Sequence, residues 1–480
     1  VAREDASPET LKTLDPRTRA LLAAPIVPLL LRMAWPNTLI MLAQASTGLI
    51  ETWWVAKLGV DALSGMALVF PGVMMMQMIS AGAMGGGISA AVARALGAGK
   101  RDEADALVLH AVVINGLFGL GFSILALALG RSLYGVLGGQ GAALEAALTY
   151  SNVVFAGNTL LWVLNALASV IRGTGNMLVP GIVICGGTAL LVPLSPCLIF
   201  GWGPFPAMGV AGGGAALVIF YILGTLLLGG YVVSGRNLAR WRFLPLRWTL
   251  FRRILVVGAT GSISSLQTTA TVGLATAMVA GIAGTRAVAG FGTGARLEYL
   301  LVPLVFGIGA PLVALVGTNL GAGQRERALR IALTGSLLSF CLTEAIGVTV
   351  AIWPSSWLGL FGSDPEMLAA GTAYLRSVGP FYGFFGLGLA LYFASQGAGR
   401  LFWPLLAGLV RVVVAVGGGW LALRLTGSLY GLFAALGLGL LCYGLLLVHA
   451  VWRGAWFAGA NGRKGEKTAS VTDPAQVRTV

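Results

Sequence analysis

The sequence predicts an all-α polytopic membrane protein, with twelve transmembrane helices in two six-helix bundles related by a pseudo-two-fold axis. Three observations carry this expectation. Of 480 residues, 57% are hydrophobic and only 10% charged, with a mean hydropathy of +0.87. A soluble domain carries roughly a quarter charged residues, so this much apolar surface has to face lipid. The apolar stretches then divide into twelve segments, most of them long enough to cross about 30 Å of hydrocarbon as helices. Finally, the chain reads the same passage twice, about 224 residues apart. Leu96-Gly97-Ala98-Gly99-Lys100-Arg101 returns as Leu320-Gly321-Ala322-Gly323-Gln324-Arg325, and Gly59-Val60-Asp61-Ala62 as Gly284-Thr285-Arg286-Ala287. Arg172-Gly173-Thr174-Gly175-Asn176 is matched by Gln396-Gly397-Ala398-Gly399-Arg400, Gln44 by Gln267, and Tyr221 roughly by Tyr443. Several matches in one order at nearly constant offset mark two homologous halves, which in a membrane protein form a cleft between them.

The first half spans residues 26–233, with segments at 26–56, 62–92, 104–130, 145–170, 177–199 and 208–233. The second spans 251–453, with segments at 251–281, 287–317, 328–353, 367–395, 401–423 and 430–453. A polar tail (1–25), a basic linker (234–250) and a polar tail (454–480) complete the chain. The first two dozen residues lack a signal-peptide pattern, so the first apolar segment is expected to remain as a membrane helix. The tails, the linker and the even-numbered loops hold about 24 of the 31 Lys and Arg; the odd-numbered loops hold only Lys57, Arg131, Arg286, Arg376 and Arg424. Positive charge gathers on the cytoplasmic side, so both termini are expected there, and the net charge of +14 needs no nucleic acid to explain it. An even helix count per half makes the repeats parallel, about an axis along the membrane normal.

No catalytic cluster is legible. Cys185, Cys197, Cys341 and Cys442 are scattered, and His110 and His449 lie far apart, so neither a metal site nor a cofactor is expected. Without a Walker motif, transport energy has to come from an ion gradient, the membrane potential or a partner. Pro36, Pro71 and Pro303 fall inside apolar segments, where proline removes a backbone donor and bends the helix, making them candidate hinges.

The repeated Leu-Gly-Ala-Gly-Lys/Gln-Arg, Arg296-Leu297-Glu298 and Arg172-Gly173-Thr174-Gly175-Asn176, set in two six-helix halves, resemble the multidrug and toxic compound extrusion (MATE) family over roughly residues 25–455. The resemblance implies a secondary-active antiporter of the bacterial cytoplasmic membrane. Such a protein would expel amphipathic, often cationic compounds by alternating access in exchange for H+ or Na+. Pro36 followed by Glu51 matches a family pattern in which a proline precedes a cavity-lining carboxylate, usually Asp. The family's fifth helix often carries an Asn and then Leu-Asp-Pro; here stand Leu191 and Leu194-Ser195-Pro196, and Leu217 replaces a Thr of the sixth helix. The cation site used by some members is thereby reduced to Glu51. That leaves too few oxygens for Na+ but a single carboxylate able to cycle a proton, since loss of water favours the neutral form of a carboxyl group.

Charge inside a bilayer costs several kcal/mol unless it meets a partner or a wet cavity. Glu51, Arg296, Glu298, Glu344 and Arg411 are therefore informative, and Glu298 is expected to pair with Arg411. Arg296, two residues from Glu298, points elsewhere. Asn158, Trp162, Asn165 and Ser169 share one face of the fourth segment, pointing to the cleft or to a neighbouring helix. With Gln44, Gln267, Arg296, Glu298 and Arg411 they are the expected cavity lining. Met74, Met75, Met76 and Met78 offer either an adaptable ligand surface or plain packing. The expected partners are small amphipathic substrates and the lipid bilayer, acting on a monomer. A lipid-linked oligosaccharide flippase is the alternative, although it calls for more basic residues in the cavity; a membrane enzyme finds no supporting cluster.

Overall fold

The computed structural model describes residues 15–457, except for the side chains of Gln44, Ala45, Thr47, Leu49 and Thr285. The expectations for residues 1–14 and 458–480, and for the Gln44 side chain, lie outside the described residues. No strand occurs among those described.

A short helix α1 (Pro16–Ala23) starts on Asp15, whose carboxylate accepts the Arg17 N–H at 2.9 Å, with proline in the first turn. The first half follows: α2 (Ile26–Ala56), α3 (Val60–Gly97), α4 (Arg101–Val136), α5 (Gly141–Ala156), α6 (Asn158–Gly173), α7 (Leu178–Phe200) and α8 (Val210–Val233). The second half comprises α9 (Trp248–Gly284), α10 (Arg286–Gly321), α11 (Arg325–Ile352), the short α12 (Pro354–Leu358), α13 (Pro365–Ala398), α14 (Phe402–Thr426) and α15 (Leu429–Trp452). Among the described residues, eleven helices are long and apolar enough to span a membrane. The twelfth span is the pair α5 and α6, bent by 46° across Gly157. The bend is where the sequence suggests one continuous segment. α3 contains a π-helical stretch, Met78–Met84, and α14 another, Val413–Gly418.

The internal repeat is carried into backbone conformation. In the first Gly-Ala-Gly turn the Lys100 N–H reaches the Ala95 carbonyl at 2.9 Å; in the second, the Gln324 N–H reaches the Asn319 carbonyl at 2.9 Å. Gly99 (φ 73°) and Gly323 (φ 83°) sit in the left-handed region that such a helix ending requires. The halves meet at this end. A Cβ on Gly97 would run into the Thr318 carbonyl, and one on Gly321 into the Arg94 carbonyl. Arg94 Nη1 donates to the Gly397 carbonyl at 2.7 Å. At mid-depth the Asn37 amide donates to the Phe306 carbonyl at 3.0 Å. At the far end, Cβ positions at Gly48, Gly59, Gly281 and Gly284 face open space. The halves thus close on one another at the Gly-Ala-Gly end.

Two features at that end go beyond the sequence expectation. α1 buries Leu21 and Leu22 between the halves: Leu21 packs on Gly175, and its carbonyl accepts from Asn319 at 3.1 Å. The basic linker is strapped to the start of α4. The Arg240 N–H donates to Asp105 at 2.7 Å and Arg242 meets Asp102 and Asp105 at 3.3 Å each, while Arg253 at the start of α9 pairs with Glu103. His110 takes part with both ring nitrogens, Nδ1 with the Ala106 carbonyl at 2.7 Å and Nε2 accepting the Arg247 N–H at 2.8 Å.

Candidate functional site

Two of the cavities among the described residues frame the candidate site. The larger, about 230 Å³, lies on the second-half side of the cleft. The π-helical part of α3 contributes Met78, Ala81, Gly82 and Ala83, and α9 contributes a polar stripe, Ser264, Ser265, Gln267, Thr268 and Thr271. Pro303 and Phe306 come from α10, Phe385, Tyr392 and Phe393 from α13, Arg411 from α14 and Tyr443 from α15. The hydroxyls of the stripe are largely spent on their own helix: Thr268 on the Ser264 carbonyl at 3.3 Å and Thr271 on that of Gln267 at 2.8 Å. Gln267 Nε2 donates to the Leu405 carbonyl at 3.3 Å, while its Oε1 has no partner.

Arg411 is anchored from behind. Its Nη2 donates to Glu298 Oε1 at 2.6 Å, and the Tyr374 hydroxyl donates to Glu298 Oε2 at 3.3 Å. The guanidinium also lies 5.4 Å from the Phe385 ring centroid and 5.9 Å from that of Tyr443. The pair expected from the sequence is thus formed, across α10 and α14. Arg296 faces away: it is exposed, with its guanidinium 5.8 Å from the Phe361 centroid. Two residues along a helix is about 200° of rotation, which separates it from Glu298.

Glu51 sits in the first half, near the open end of α2 and only 7% exposed. The Tyr150 hydroxyl donates to it at 3.2 Å, and Gly213 leaves room beside Oε1. A small cavity of about 10 Å³ is bounded by Ile50, Glu51, Leu191, Val192 and Ser195. Fold therefore gathers Glu51 with the two residues that replace the family's Asn and Asp. Ser195 Oγ has no hydrogen-bond partner there.

The polar face of the fourth span, which begins with α6, points into the first bundle. Asn158 donates to the Gly119 carbonyl at 3.1 Å and Asn165 to Ser80 Oγ at 2.8 Å. The Ser169 carbonyl accepts from Ser89 Oγ at 2.7 Å, and Ser169 Oγ accepts from Arg172 of the same helix at 2.9 Å. Trp162 is fully buried, stacked against Phe118 and Phe122. Asn158, Trp162 and Asn165 join α6 to neighbouring helices, and none of the four residues stands in the large cavity's wall. Of the methionines, Met76 is buried, Met74 and Met75 are exposed on the outer surface, and Met78 lines the cavity. Pro36 packs beside Gly181, and Pro71 lies inside α3. The cavity's aromatic residues from α10 and α13 were not legible in sequence, because they carry no shared spacing. The break in helical register at Met78–Met84 is the structural signal that finds the site, since π stretches cluster at functional positions.

The sequence profile of the MatE family matches residues 36–197 and 262–421, the two halves of this architecture. The chain belongs to the MatE family. MATE proteins are transporters, not enzymes. The chain is 28% identical over 386 residues to the FAD transporter of Shewanella oneidensis, covering 78% of this chain and 82% of that protein. It is 29% identical over 455 residues to a probable multidrug resistance protein NorM of Deinococcus radiodurans, covering 87% and 93%. A crystal structure of a MATE protein in a bent conformation matches with a TM-score of 0.85 at 22% identity, over 92% of this chain and 98% of that one. The outward-facing structure of a multidrug resistance MATE transporter matches with a TM-score of 0.83 at 22% identity, over 92% and 99%. These solved structures are similar in fold.

Proposed function

We propose that this MATE protein is a secondary-active exporter of small amphipathic compounds, driven by H+ exchange and working by alternating access in the bacterial cytoplasmic membrane. The asymmetry of Lys and Arg supports a cytoplasmic Gly-Ala-Gly end and cytoplasmic termini. On that reading the conformation described is the outward-open one, with the cytoplasmic end shut by Gly97 against Thr318 and Gly321 against Arg94. Each chain encloses a complete cleft, so a monomer suffices. The names of the relatives, an FAD transporter and multidrug resistance proteins, favour an organic cargo over an inorganic ion.

The observation that carries the choice of ion is Glu51 in a pocket otherwise bounded by Leu191, Val192, Ile50 and Ser195. A Na+ site needs about five or six oxygens to replace the lost water, as hard cations generally do. One carboxylate and one serine hydroxyl fall short, whereas a single carboxylate suffices for a proton. Pro36, Pro71 and Pro303 lie inside spanning helices, where the missing backbone donor would let the spans bend as they rock.

The test is dye efflux from liposomes holding the purified protein. Efflux driven by a pH gradient in the absence of Na+ is the expected result. Efflux that responds to a Na+ gradient alone would overturn the choice of ion, and no efflux under either gradient would overturn the exporter.

A further inference from the structure

The large cavity has a polarity that the exporter reading leaves open. Among the described residues lining it, Arg411 is the one charged side chain, and no carboxylate stands in the wall. Glu298 lies behind it, bordering a separate cavity of about 20 Å³ with Tyr374 and Ala295. Arg411 borders both cavities and Glu298 only the smaller, so of the ion pair the large cavity meets the cation alone. A guanidinium presents five donors in a planar fork, and Glu298 occupies Nη2. The flanking rings of Phe385 and Tyr443 hold that plane in place.

A second polar residue, Gln267, lines the same space, with its Oε1 packed beside Gly408. Gln267 Oε1 is buried and unpartnered. Buried carbonyl oxygens are nearly always hydrogen-bonded in a finished structure, so an orphan in a cavity wall marks a place for a ligand donor. Phe306, Tyr392 and Phe393 form aromatic surface between these two groups. The volume of about 230 Å³ is below the ~300–1,000 Å³ of a pocket that encloses a whole drug-sized molecule. It suits one fused-ring system, with the rest of the substrate in the cleft.

We infer that this cavity is the binding site for the aromatic portion of an anionic substrate, whose acidic group is held by Arg411 while a ring N–H or O–H donates to Gln267 Oε1. The inference rests on the reading of the protein as an exporter and names the charge of its cargo. A cation entering the same cavity would meet Arg411 with no carboxylate in the wall to offset it. Arginine favours a planar acid, because its fork matches carboxylate and phosphate geometry.

The test uses two xanthene dyes of similar ring size and opposite charge, ionised fluorescein and tetramethylrhodamine methyl ester. Their binding to the protein in lipid nanodiscs is followed by fluorescence polarisation at mildly alkaline pH. Wild-type protein is expected to bind fluorescein about tenfold more tightly than the rhodamine, the order given by one charge-assisted hydrogen bond. Arg411→Gln should erase the preference. Because that variant leaves Glu298 unpaired and is liable to misfold, the double variant Arg411→Gln with Glu298→Gln should erase it too. Gln267→Leu should weaken fluorescein binding less, by a few-fold, with the charge preference kept. Equal or tighter binding of the rhodamine by wild-type protein overturns the inference, as does unchanged fluorescein affinity in the folded double variant. Liposome efflux separates the two levels. Efflux driven by a pH gradient without an anion preference leaves the exporter standing and removes the anion site. An anion preference without efflux of either dye supports the site and removes the exporter.

Discussion

Glu51 and Glu298 are both carboxylates within a membrane bundle, and their neighbours separate their roles. Glu298 is held by a guanidinium at 2.6 Å and a phenol at 3.3 Å. Glu51 receives one phenol, that of Tyr150, and among the described residues no Lys or Arg pairs with it. A carboxylate locked to arginine is a poor proton carrier, and a lone one is a good candidate. Glu51→Gln is expected to leave folding intact and to cut pH-gradient-driven efflux at least tenfold; efflux by this variant that still follows the gradient would refute the assignment. Glu298→Ala strands the Arg411 charge, for which the expected loss is about 3–5 kcal/mol of stability. Thermal unfolding in detergent reads this as a lowered Tm. Replacing both partners by Gln should recover most of the loss, since two neutral amides bury no lone charge.

At the level of elements, α3 and α10 end in the same turn and use their glycines for two different reasons. Gly99 and Gly323 are there for conformation, with φ of 73° and 83° and open space around an added Cβ. Gly97 and Gly321 are there for approach, each set against a backbone carbonyl of the other half. Gly99→Ala should therefore cost about 1–2 kcal/mol of strain and leave the closure of the halves unchanged. Gly97→Val should keep the two helices apart. A cysteine placed at Thr318, a position 1% exposed, then reports the difference. Its maleimide labelling should rise several-fold beside Gly97→Val and stay at the parent rate beside Gly99→Ala. Equal labelling in both would show that this contact does not hold the end shut.

For the whole molecule, α1 is, among the described residues, the one helix outside the twelve spans that touches both halves at the closed end. Leu21 packs on Gly175 of the first half and bonds through its carbonyl to Asn319 of the second; the Ala24 carbonyl accepts from Arg327 at 2.5 Å. An exchange between open ends has to break one side of that arrangement. Removing residues 1–24 is expected to favour the state open at the Gly-Ala-Gly end, seen as increased labelling of the Thr318 cysteine in otherwise unchanged protein. Parent-level labelling would make α1 a passive ornament of the closed state. The topology carries its own check: a cysteine at Ala98 should react only with reagents present on the cytoplasmic side of intact cells.

Much of this architecture is written in composition and repetition. Hydropathy requires lipid-facing helices, because backbone amides in hydrocarbon have to be bonded within their own segment. The two Gly-Ala-Gly passages, 224 residues apart, require two equivalent halves. Even the Glu298–Arg411 pair was legible, since two lone opposite charges in a bilayer seek each other. Direction was not. The Asn158 to Ser169 face is polar whether it meets a neighbouring helix or a cleft, and only packing showed that Gly119 and Ser80 are partners of its two amides. The displacement of the cavity toward the second half, the aromatic wall drawn from α10, α13 and α15, and the turning of Arg411 inward with Glu298 behind it were likewise decided by tertiary structure. Sequence periodicity says which residues share a face of one helix. Which face meets a cavity depends on how the helices pack together, and that is settled between segments hundreds of residues apart.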